Sequence, residues 1–428
     1  MRLGHQLVNV VLLIAYHFPP LRGSSGMQRT LRFASHLPSF GWRPIVLSID
    51  PRAYDDVGAV RGNEVPPDLE VQRAFGLNAA RQVSLFGRYP IWLALPDRWA
   101  SWRFWAVPKA LRIIRASGVR AIWSTFPIAS AHRIGLEVAR RARLPWIAEF
   151  RDPMWQSDWP PEPQANVAWR ALEREIFGAA DHIVFTSPSA IDMYAERFPQ
   201  VPRAKMSIIE NGYDEETFRA AETVRAAPPA RRPGALKLLH SGIIYRSERD
   251  PTHFFAAVAA LRDKGAISGQ DVQIVLRASG SESDYAEDLA RLGISDIVRL
   301  EPGVDYVGAL QEMLDADGLL LLQAANCNAQ IPAKLYEYLR AGRPILALTD
   351  PAGDTARTLD AVNAGIIAPL DSAPAIESAL MRFLDAVRAG ACRRPSAETV
   401  ARYSREAQAG ELARLLDRAT RGPASASS

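Results

Sequence analysis

Residues Gln330 to Leu348, QIPAKLYEYLRAGRPILAL, predict a helix, a tight turn and a buried strand in that order. Pro332 suits the first turn of a helix, where its missing N–H costs nothing. Gly342 is typical of a helix C-terminus, and Pro344 begins the apolar run PILAL. One face of the helix is apolar, at Ile331, Leu335 and Leu339.

The opposite face of this helix carries two charged residues, Lys334 and Glu337. They are separated by about 4.5 Å along the helix axis, at about 1.5 Å per residue. A diphosphate at the open N-terminus would meet free N–H groups and Lys334, while Glu337 could accept both hydroxyls of a ribose. Because a lysine in the first turn opposes the helix dipole, a bound anion would explain its position. The alternative is a solvated ion pair of little energetic weight.

The composition is that of a globular protein with two or three domains. The chain has 428 residues, 48% hydrophobic and 23% charged, which can bury large cores. Two cysteines, Cys327 and Cys392, give no disulfide framework, and we expect a cytoplasmic protein. The early run VNVVLLIAY is too short to span a membrane and lacks a cleavage site, so we expect it to be a buried strand. A net charge of +4 indicates no particular anionic partner.

The sequence contains no spacing that is typical of a metal site. Neither the two cysteines nor the histidines fit metal-ligand patterns, and no DxD-type site is evident. We therefore expect neither a metal nor another cofactor. Packing or loop roles are expected for His17, His132 and His240.

Strand-like runs alternate with amphipathic helical runs through most of the chain, which predicts parallel sheets covered on both faces. The alternation breaks at an Ala-, Pro- and Arg-rich segment and then restarts, so two doubly wound domains are expected. The predicted segments are a first domain over 1–218, a linker over 219–234, a second domain over 235–392, a C-terminal helix over 393–421 and a disordered tail over 422–428.

Ligands in such folds bind beyond the carboxyl ends of the strands. After the first strand, Gly23 and Gly26 bracket two serines just before a helix, where the backbone could approach a phosphate or a sugar. An ordinary turn is the alternative. This loop matches neither GxGxxG nor the P-loop, which argues against nicotinamide enzymes and P-loop NTPases. Strand WIAEF delivers Arg151 and Asp152, which could instead be a pair that caps the following turn.

In the second domain, strand LKLLHS leads into a loop that contains Gly242, Arg246 and Arg249. Arginines at this position could neutralise a diphosphate leaving group through bidentate contacts. Surface salt bridges are the alternative.

Four of the ten tryptophans lie between Ile91 and Ala106, together with basic residues. We expect Asp97 to cap a short helix that Pro108 closes. One side of this helix would contact a membrane surface or pack in the core, through Trp99, Trp102 and Trp105.

Three segments together resemble bacterial family 4 glycosyltransferases, which have the GT-B fold: IPAKLYEYLRAG, the opening HFPPLRGSSGMQR and RDPMW. The resemblance implies two Rossmann-like domains facing across a cleft, with the C-terminal helix able to cross back to the first. It places Glu337 at the nucleotide ribose and the glycine loop at the donor phosphates and sugar. Asp152 would be catalytic, in a loop where other members carry a histidine.

The same resemblance extends to the loop after LKLLHS, where family members place an arginine and a lysine. Arg246 and Arg249 resemble that pair, which implies a catalytic role in stabilising the diphosphate as it leaves. One feature differs: many members have a second glutamate eight positions before Glu337, where this chain has Ala329. Asn328 and Gln330 could replace it by neutral hydrogen bonds. The expected donor-binding residues of the second domain are thus Gly242, Asn328, Gln330, Ile331, Lys334 and Glu337.

The resemblance implies a retaining, metal-independent glycosyltransferase. It would move a sugar from a nucleotide diphosphate sugar, as co-substrate, to a glycan or lipid-linked acceptor in cell-surface polysaccharide biosynthesis. The first domain would serve the acceptor and the second the donor, at the inner face of the cytoplasmic membrane. A sugar-nucleotide epimerase and a non-catalytic nucleotide-sugar-binding protein remain alternatives. No aromatic-basic motif indicates nucleic-acid binding.

Overall fold

The computed structural model describes residues 9–21, 25–58, 65–84, 89–224 and 234–421. Residue contacts divide the chain into two compact units. The first combines Met1–Glu210 with Arg405–Ser428, and the second is Asn211–Ser404.

The first unit has a parallel sheet of seven strands in the order β3-β2-β1-β4-β5-β6-β7. The strands are β1 Asn9–Ile14, β2 Trp42–Ile49, β3 Glu70–Ala74, β4 Val119–Thr125, β5 Trp146–Phe150, β6 His182–Phe185 and β7 Met206–Ile208. The helices are α1 Ser25–His36, α2 Trp102–Ser117, α3 Ala129–Ala142, α4 Pro163–Ala179 and α5 Pro188–Arg197.

Both faces of this sheet are buried, as the nearly continuous apolar strands predict. Along β1, Leu12 and Ile14 join one hydrophobic cluster, whereas Val11 and Leu13 join another on the opposite face. The early apolar run is therefore a central strand, as expected.

The second unit has a parallel sheet of six strands in the order β10-β9-β8-β11-β12-β13. The strands are β8 Leu236–Ser241, β9 Val272–Arg277, β10 Val298–Glu301, β11 Gly318–Leu322, β12 Ile345–Leu348 and β13 Ile366–Ala368. The helices are α6 Glu215–Thr223, α7 Arg246–Arg249, α8 Thr252–Asp263, α9 Glu282–Arg291, α10 Tyr306–Asp315, α11 Ala333–Ala341, α12 Asp354–Ala361, α13 Ala373–Arg388 and α14 Ala397–Ala401. The prediction of two doubly wound, Rossmann-like domains is confirmed.

The last helix, α15 Arg405–Arg421, returns to the first unit. Its apolar side, including Leu412 and Leu416, shares a core with Leu31 of α1, and Asp417 accepts a 2.9 Å hydrogen bond from the Trp42 indole. The expected single helix over 393–421 is instead two helices, because residues 402–404 separate α14 from α15.

The domain boundary lies earlier in the structure than the predicted one. Residues 211–218 pack in the second unit, because buried Phe218 of α6 joins the core of that unit. The predicted linker over 219–234 therefore begins inside α6, while its residues 225–233 and the tail 422–428 lie outside the described residues.

The aromatic segment differs from its prediction. Helix α2 begins after Ser101 and continues through Pro108 to Ser117, where Gly118 adopts a left-handed φ of 65°. Asp97 is not the N-cap of α2, which is Ser101. Its carboxylate accepts a 3.0 Å hydrogen bond from the Trp99 N–H in the turn before the helix and two 2.7 Å hydrogen bonds from Ser130 at the start of α3.

Of the two alternatives for the three tryptophans, membrane contact does not fit two of them. Trp102 is 0% exposed and Trp99 is 7% exposed, both in the core, whereas Trp105 is 47% exposed. The core alternative therefore holds for the first two. No helix among the described residues is long and apolar enough to cross a membrane.

Candidate nucleotide-binding site

Helix α11 and strand β12 confirm the predicted helix, turn and strand. Pro332 stands at the N-cap with extended backbone, and Gly342 ends the helix with φ 66°. The apolar face of α11 packs in the core through Leu335 and Leu339, and Ile331 is buried with them. The donor contact predicted for Ile331 stays a prediction, and its buried side chain leaves only the backbone to make it.

The N-terminus of α11 lies near the point where the strand order of the second sheet reverses. Strand β8 pairs with β9 on one side and β11 on the other. Open parallel sheets bind ligands outside the carboxyl ends of the strands at such a reversal. The predicted donor-site residues of this unit lie in the loops after β8 and β11 and in helix α11.

Lys334 in the first turn of α11 contacts His240 at the end of β8. Its Nζ lies 3.1 Å from His240 Nε2, and His240 Nδ1 lies 2.9 Å from the Leu320 carbonyl oxygen. Because a carbonyl can only accept, Nδ1 carries the imidazole proton and Nε2 accepts from Lys334. Burial, and next the charge of Arg249, lower the pKa of Lys334 to about 7, although Glu337 opposes this.

Gly242 makes room for the lysine. It has a φ of 109°, a conformation that favours glycine, and a Cβ at this position would lie 3.2 Å from Lys334 Nζ. This predicted loop residue thus lies directly against the predicted anion-binding lysine.

The two arginines of the β8 loop have different surroundings. Arg249 donates a 2.9 Å hydrogen bond to the Ile243 carbonyl, and its charge acts on Lys334. Arg246 forms a 3.3 Å ion pair with Asp288 on α9 and lies over the Tyr285 ring. Arg249 therefore lies near Lys334, whereas Arg246 contacts α9.

Glu337 accepts a 2.7 Å hydrogen bond from the hydroxyl of Tyr306 at the start of α10. The sequence analysis did not identify Tyr306, because it belongs to a different helix 31 residues earlier. A ribose at Glu337 would share the carboxylate with this phenol or displace it.

The residues proposed to replace the missing glutamate hold the loop before α11. Asn328 Nδ2 donates to Asp350 at 2.6 Å, and the Gln330 carbonyl accepts from Gln323 at 2.9 Å. Sugar contacts by Asn328 and Gln330 stay a prediction.

In the first unit, Gly26 lies in the first turn of α1, whereas Gly23 lies outside the described residues. A Cβ at Gly26 would overlap the guanidinium of Arg151. Close approach is thus required at Gly26, and the neighbour is an arginine. Arg151 Nε donates to the Phe126 carbonyl at 2.7 Å, and its Nη2 lies 3.4 Å from His17 Nδ1.

His17 and Asp152 flank Arg151 at the carboxyl ends of the strands. Burial, and next the charge of Arg151, lower the pKa of His17 to about 3, so its ring is neutral. Burial raises the pKa of the Asp152 carboxyl, and the adjacent Arg151 opposes this. The third histidine, His132, is fully buried and bonded to Ser124, which fits its expected packing role.

A buried ion pair that the sequence analysis missed supports these loops. Arg29 of α1 lies 2.8 Å from Glu149 of β5, and it also donates to the carbonyls of Ile209 and Glu210. Glu149 accepts a further 2.9 Å bond from Thr125. The pair therefore joins α1, β4, β5 and the chain after β7. Its sequence signal is a glutamate inside the otherwise apolar strand WIAEF.

Metal-binding groups are not found at this site. Among the residues that the structure describes, no group of three or more His, Cys, Asp or Glu side chains could hold a metal ion.

Comparison with known proteins relates this chain to glycosyltransferases. Residues 26–217 match the model of Glycosyltransferase Family 4, and no curated protein matches the chain. Sucrose-phosphate synthase (tll1590) from Thermosynechococcus elongatus is similar in structure, with a TM-score of 0.65, 15% identity and coverage of 96% of this chain and 98% of that one.

Two further solved structures share the fold. For HepE (Alr3699) from Anabaena, in complex with UDP, the TM-score is 0.57 at 14% identity, with 96% of this chain and 97% of that one covered. For UDP-GlcNAc 2-epimerase from Methanocaldococcus jannaschii, the TM-score is 0.56 at 9% identity, with 96% of this chain and 99% of that one covered. At such low identities the likeness establishes the fold alone. The family match thus covers residues 26–217 of the chain, and the two Rossmann-like units have the GT-B fold.

Proposed function

We propose that the protein is a retaining, metal-independent glycosyltransferase that uses a nucleotide diphosphate sugar as donor. The observation that carries the proposal is that two basic side chains, Lys334 and Arg249, lie together at the N-terminus of α11, with Glu337 one turn further on. The acceptor would be a glycan or a lipid-linked sugar in cell-surface polysaccharide biosynthesis. Retention and this biological role rest on the family resemblance.

In the second unit, the positions of the charged residues would fix the orientation of the donor along α11. Its diphosphate would meet the free N–H groups of α11, Lys334 and Arg249, and its ribose would reach Glu337. As the bond to the sugar breaks, negative charge grows on the diphosphate, and fixed cations and N–H groups stabilise that charge. We propose no cofactor besides the donor itself.

Asp152 is our proposed catalytic carboxyl in the first unit. Its support is its place at the carboxyl end of β5, where burial raises the pKa of its carboxyl above the ordinary value. Asp152→Asn should lower turnover while leaving the melting temperature close to that of the wild type.

Thermal shift with a panel of nucleotide sugars tests the donor site. A ligand at a hundred times its Kd adds about 2.7 kcal/mol of stability. The stabilisation should be lost in Glu337→Gln and kept in the control Glu287→Gln, which changes an exposed residue of α9. Equal shifts in both variants would contradict the assignment of Glu337.

The rival activity is sugar-nucleotide epimerisation, which the similar fold of the UDP-GlcNAc 2-epimerase keeps open. A transferase consumes the donor only with an acceptor, apart from slow hydrolysis, whereas an epimerase converts the nucleotide sugar alone. Chromatography of the products without acceptor separates the two. Binding without any turnover would instead indicate a non-catalytic binding protein.

We also propose that the protein is cytoplasmic and contacts the inner face of the cytoplasmic membrane, through Trp105 and two phenylalanines that were not predicted. Phe104, Trp105 and Phe75 form an exposed aromatic patch, with ring centroids 4.8 Å apart for Phe75 and Trp105 and 6.4 Å apart for Phe104 and Trp105. Helix α2 carries four basic residues and no acidic residue. Such a surface suits anionic lipid.

Vesicle co-sedimentation tests this contact. The double variant Phe104→Ser/Trp105→Ser should lose binding to vesicles that contain anionic lipid and keep its melting temperature within a few degrees. Val167→Ser, which changes an exposed residue of α4, is the control. Unchanged binding by the double variant would contradict the membrane proposal.

A further inference from the structure

His240 lies beneath the proposed diphosphate site in an arrangement that fixes its hydrogen-bonding roles. It is fully buried, its Nδ1 donates to the Leu320 carbonyl, and its Nε2 is left to accept from Lys334. The imidazole cannot take up a second proton without facing the Lys334 amine. Accordingly, burial and the charges of Lys334 and Arg249 lower the pKa of His240 well below its ordinary value.

The surroundings of Lys334 disfavour its charged form before a ligand binds, mainly because the amine is buried. The titratable groups that act on it are His240 of β8, Arg249 of α7 and Glu337 of α11. Only Glu337 favours the ammonium form, and it is hydrogen-bonded to Tyr306. With a pKa of about 7, the amine is therefore partly neutral near physiological pH.

We propose that His240 is a positioning residue that holds Lys334 at the N-terminus of α11, and that binding of a nucleoside diphosphate brings one proton from solvent onto this pair. The inference deepens the proposed function and rests on it. In the step, the lone pair of Lys334 Nζ forms a new N–H bond with a proton that a buffer acid gives up. The resulting ammonium keeps one N–H on His240 and turns another towards the phosphate oxygens.

The sign of the pH dependence follows from the lysine. Below pH 6 Lys334 is already charged, so binding takes up few protons. With a ligand-free pKa of about 7, roughly nine-tenths of the lysines are neutral at pH 8, and binding would take up about 0.9 proton there. The phosphate groups of the ligand are fully ionised at pH 8, so they contribute no uptake.

Calorimetry with UDP, ADP and GDP at pH 8 tests the inference in two buffers of different ionisation enthalpy. For the nucleotide that binds, the observed binding enthalpies in the two buffers should differ by close to the difference between the buffers' ionisation enthalpies, as expected when about one proton is taken up. Lys334→Arg should bind without this difference, because an arginine stays charged. Binding with the same enthalpy in both buffers would overturn the inference and leave the proposed function in place.

Two variants of His240 test its positioning role. His240→Leu removes the acceptor and should weaken nucleotide binding about tenfold or more, whereas His240→Gln supplies a carbonyl oxygen and should recover most of the affinity. Wild-type affinity in His240→Leu would overturn the role. If none of the three nucleotides binds the wild-type protein, the proposed function fails and the inference fails with it.

Discussion

Replacing Lys334 by methionine should make the ligand-free protein more stable and the donor site weaker. The folded environment disfavours the charged amine, with a pKa of about 7 against 10.5 for the free side chain. One pKa unit corresponds to about 1.4 kcal/mol, so the charge costs the folded state at most roughly 5 kcal/mol at pH 6.5. Methionine fills a similar volume without that charge.

Two effects reduce this gain. The side chain of Lys334 is only partly buried, and methionine leaves His240 Nε2 without its donor, which costs about 1–3 kcal/mol. We expect a net gain of ~1–2 kcal/mol in the free energy of unfolding at pH 6.5. Donor affinity should fall by about 1.5–3 kcal/mol, because a charge-assisted contact is lost.

The pH dependence of the stability difference between variant and wild type shows whether the charge of Lys334 causes it. Between pH 7 and 10.5 the unfolded chain binds more protons at this lysine than the folded protein does, so wild-type stability rises with pH relative to the variant. The advantage of the variant should therefore be full below pH 7 and largely gone near pH 10. Urea unfolding at pH 6.5 and 9.5 measures it, with Lys264→Met at an exposed position as the control. A variant less stable than the wild type at pH 6.5, or an advantage independent of pH, would refute the reasoning.

Three further predictions concern named contacts. Glu337→Gln should weaken nucleotide binding by about 1.5–3 kcal/mol in calorimetry while unfolding stability changes by less than ~0.5 kcal/mol. Arg249→Gln should lower the turnover number at saturating donor more than Arg246→Gln does, because Arg246 is held on α9; equal losses would contradict this difference. Arg29→Met should cost about 3–5 kcal/mol in urea unfolding by leaving buried Glu149 unpaired, and the double variant Arg29→Met/Glu149→Leu should lose less.

Periodic features of the sequence predicted the fold well. The apolar strands, the Gly342 helix end and the order of elements all follow from local patterns of burial and backbone preference. These patterns also place the loops after β8 and β11 at one edge of the sheet, because parallel strands end together. The predicted loop residues Gly242 and Lys334 are accordingly in contact.

Pro108 shows where a local rule failed. A proline inside a helix costs about 3 kcal/mol and leaves the carbonyl four residues earlier, that of Phe104, without its N–H partner. Phe104 is 65% exposed, so water can reach this part of the helix. The buried face continues on both sides of the proline, through Trp102 and Ile113, and its burial offsets the cost. Hydrophobic periodicity across the proline therefore predicts the length of this helix better than the presence of the proline does.

The contacts that set the chemistry of the site could not be predicted in the same way. His240 and Lys334 are 94 residues apart, and Arg29 and Glu149 are 120 residues apart. A sequence pattern indicates which loops share a sheet edge but not which side chains meet there. Each pair nevertheless has a signal in the sequence, which is a polar residue near the carboxyl end of an apolar strand. These residues are His240 in LKLLHS and Glu149 in WIAEF. A buried polar group must find a partner, and in both pairs the partner comes from a helix that follows another strand of the same sheet. Polar residues at strand ends, rather than exposed charges alone, are therefore where the proton-holding groups of this fold should be sought.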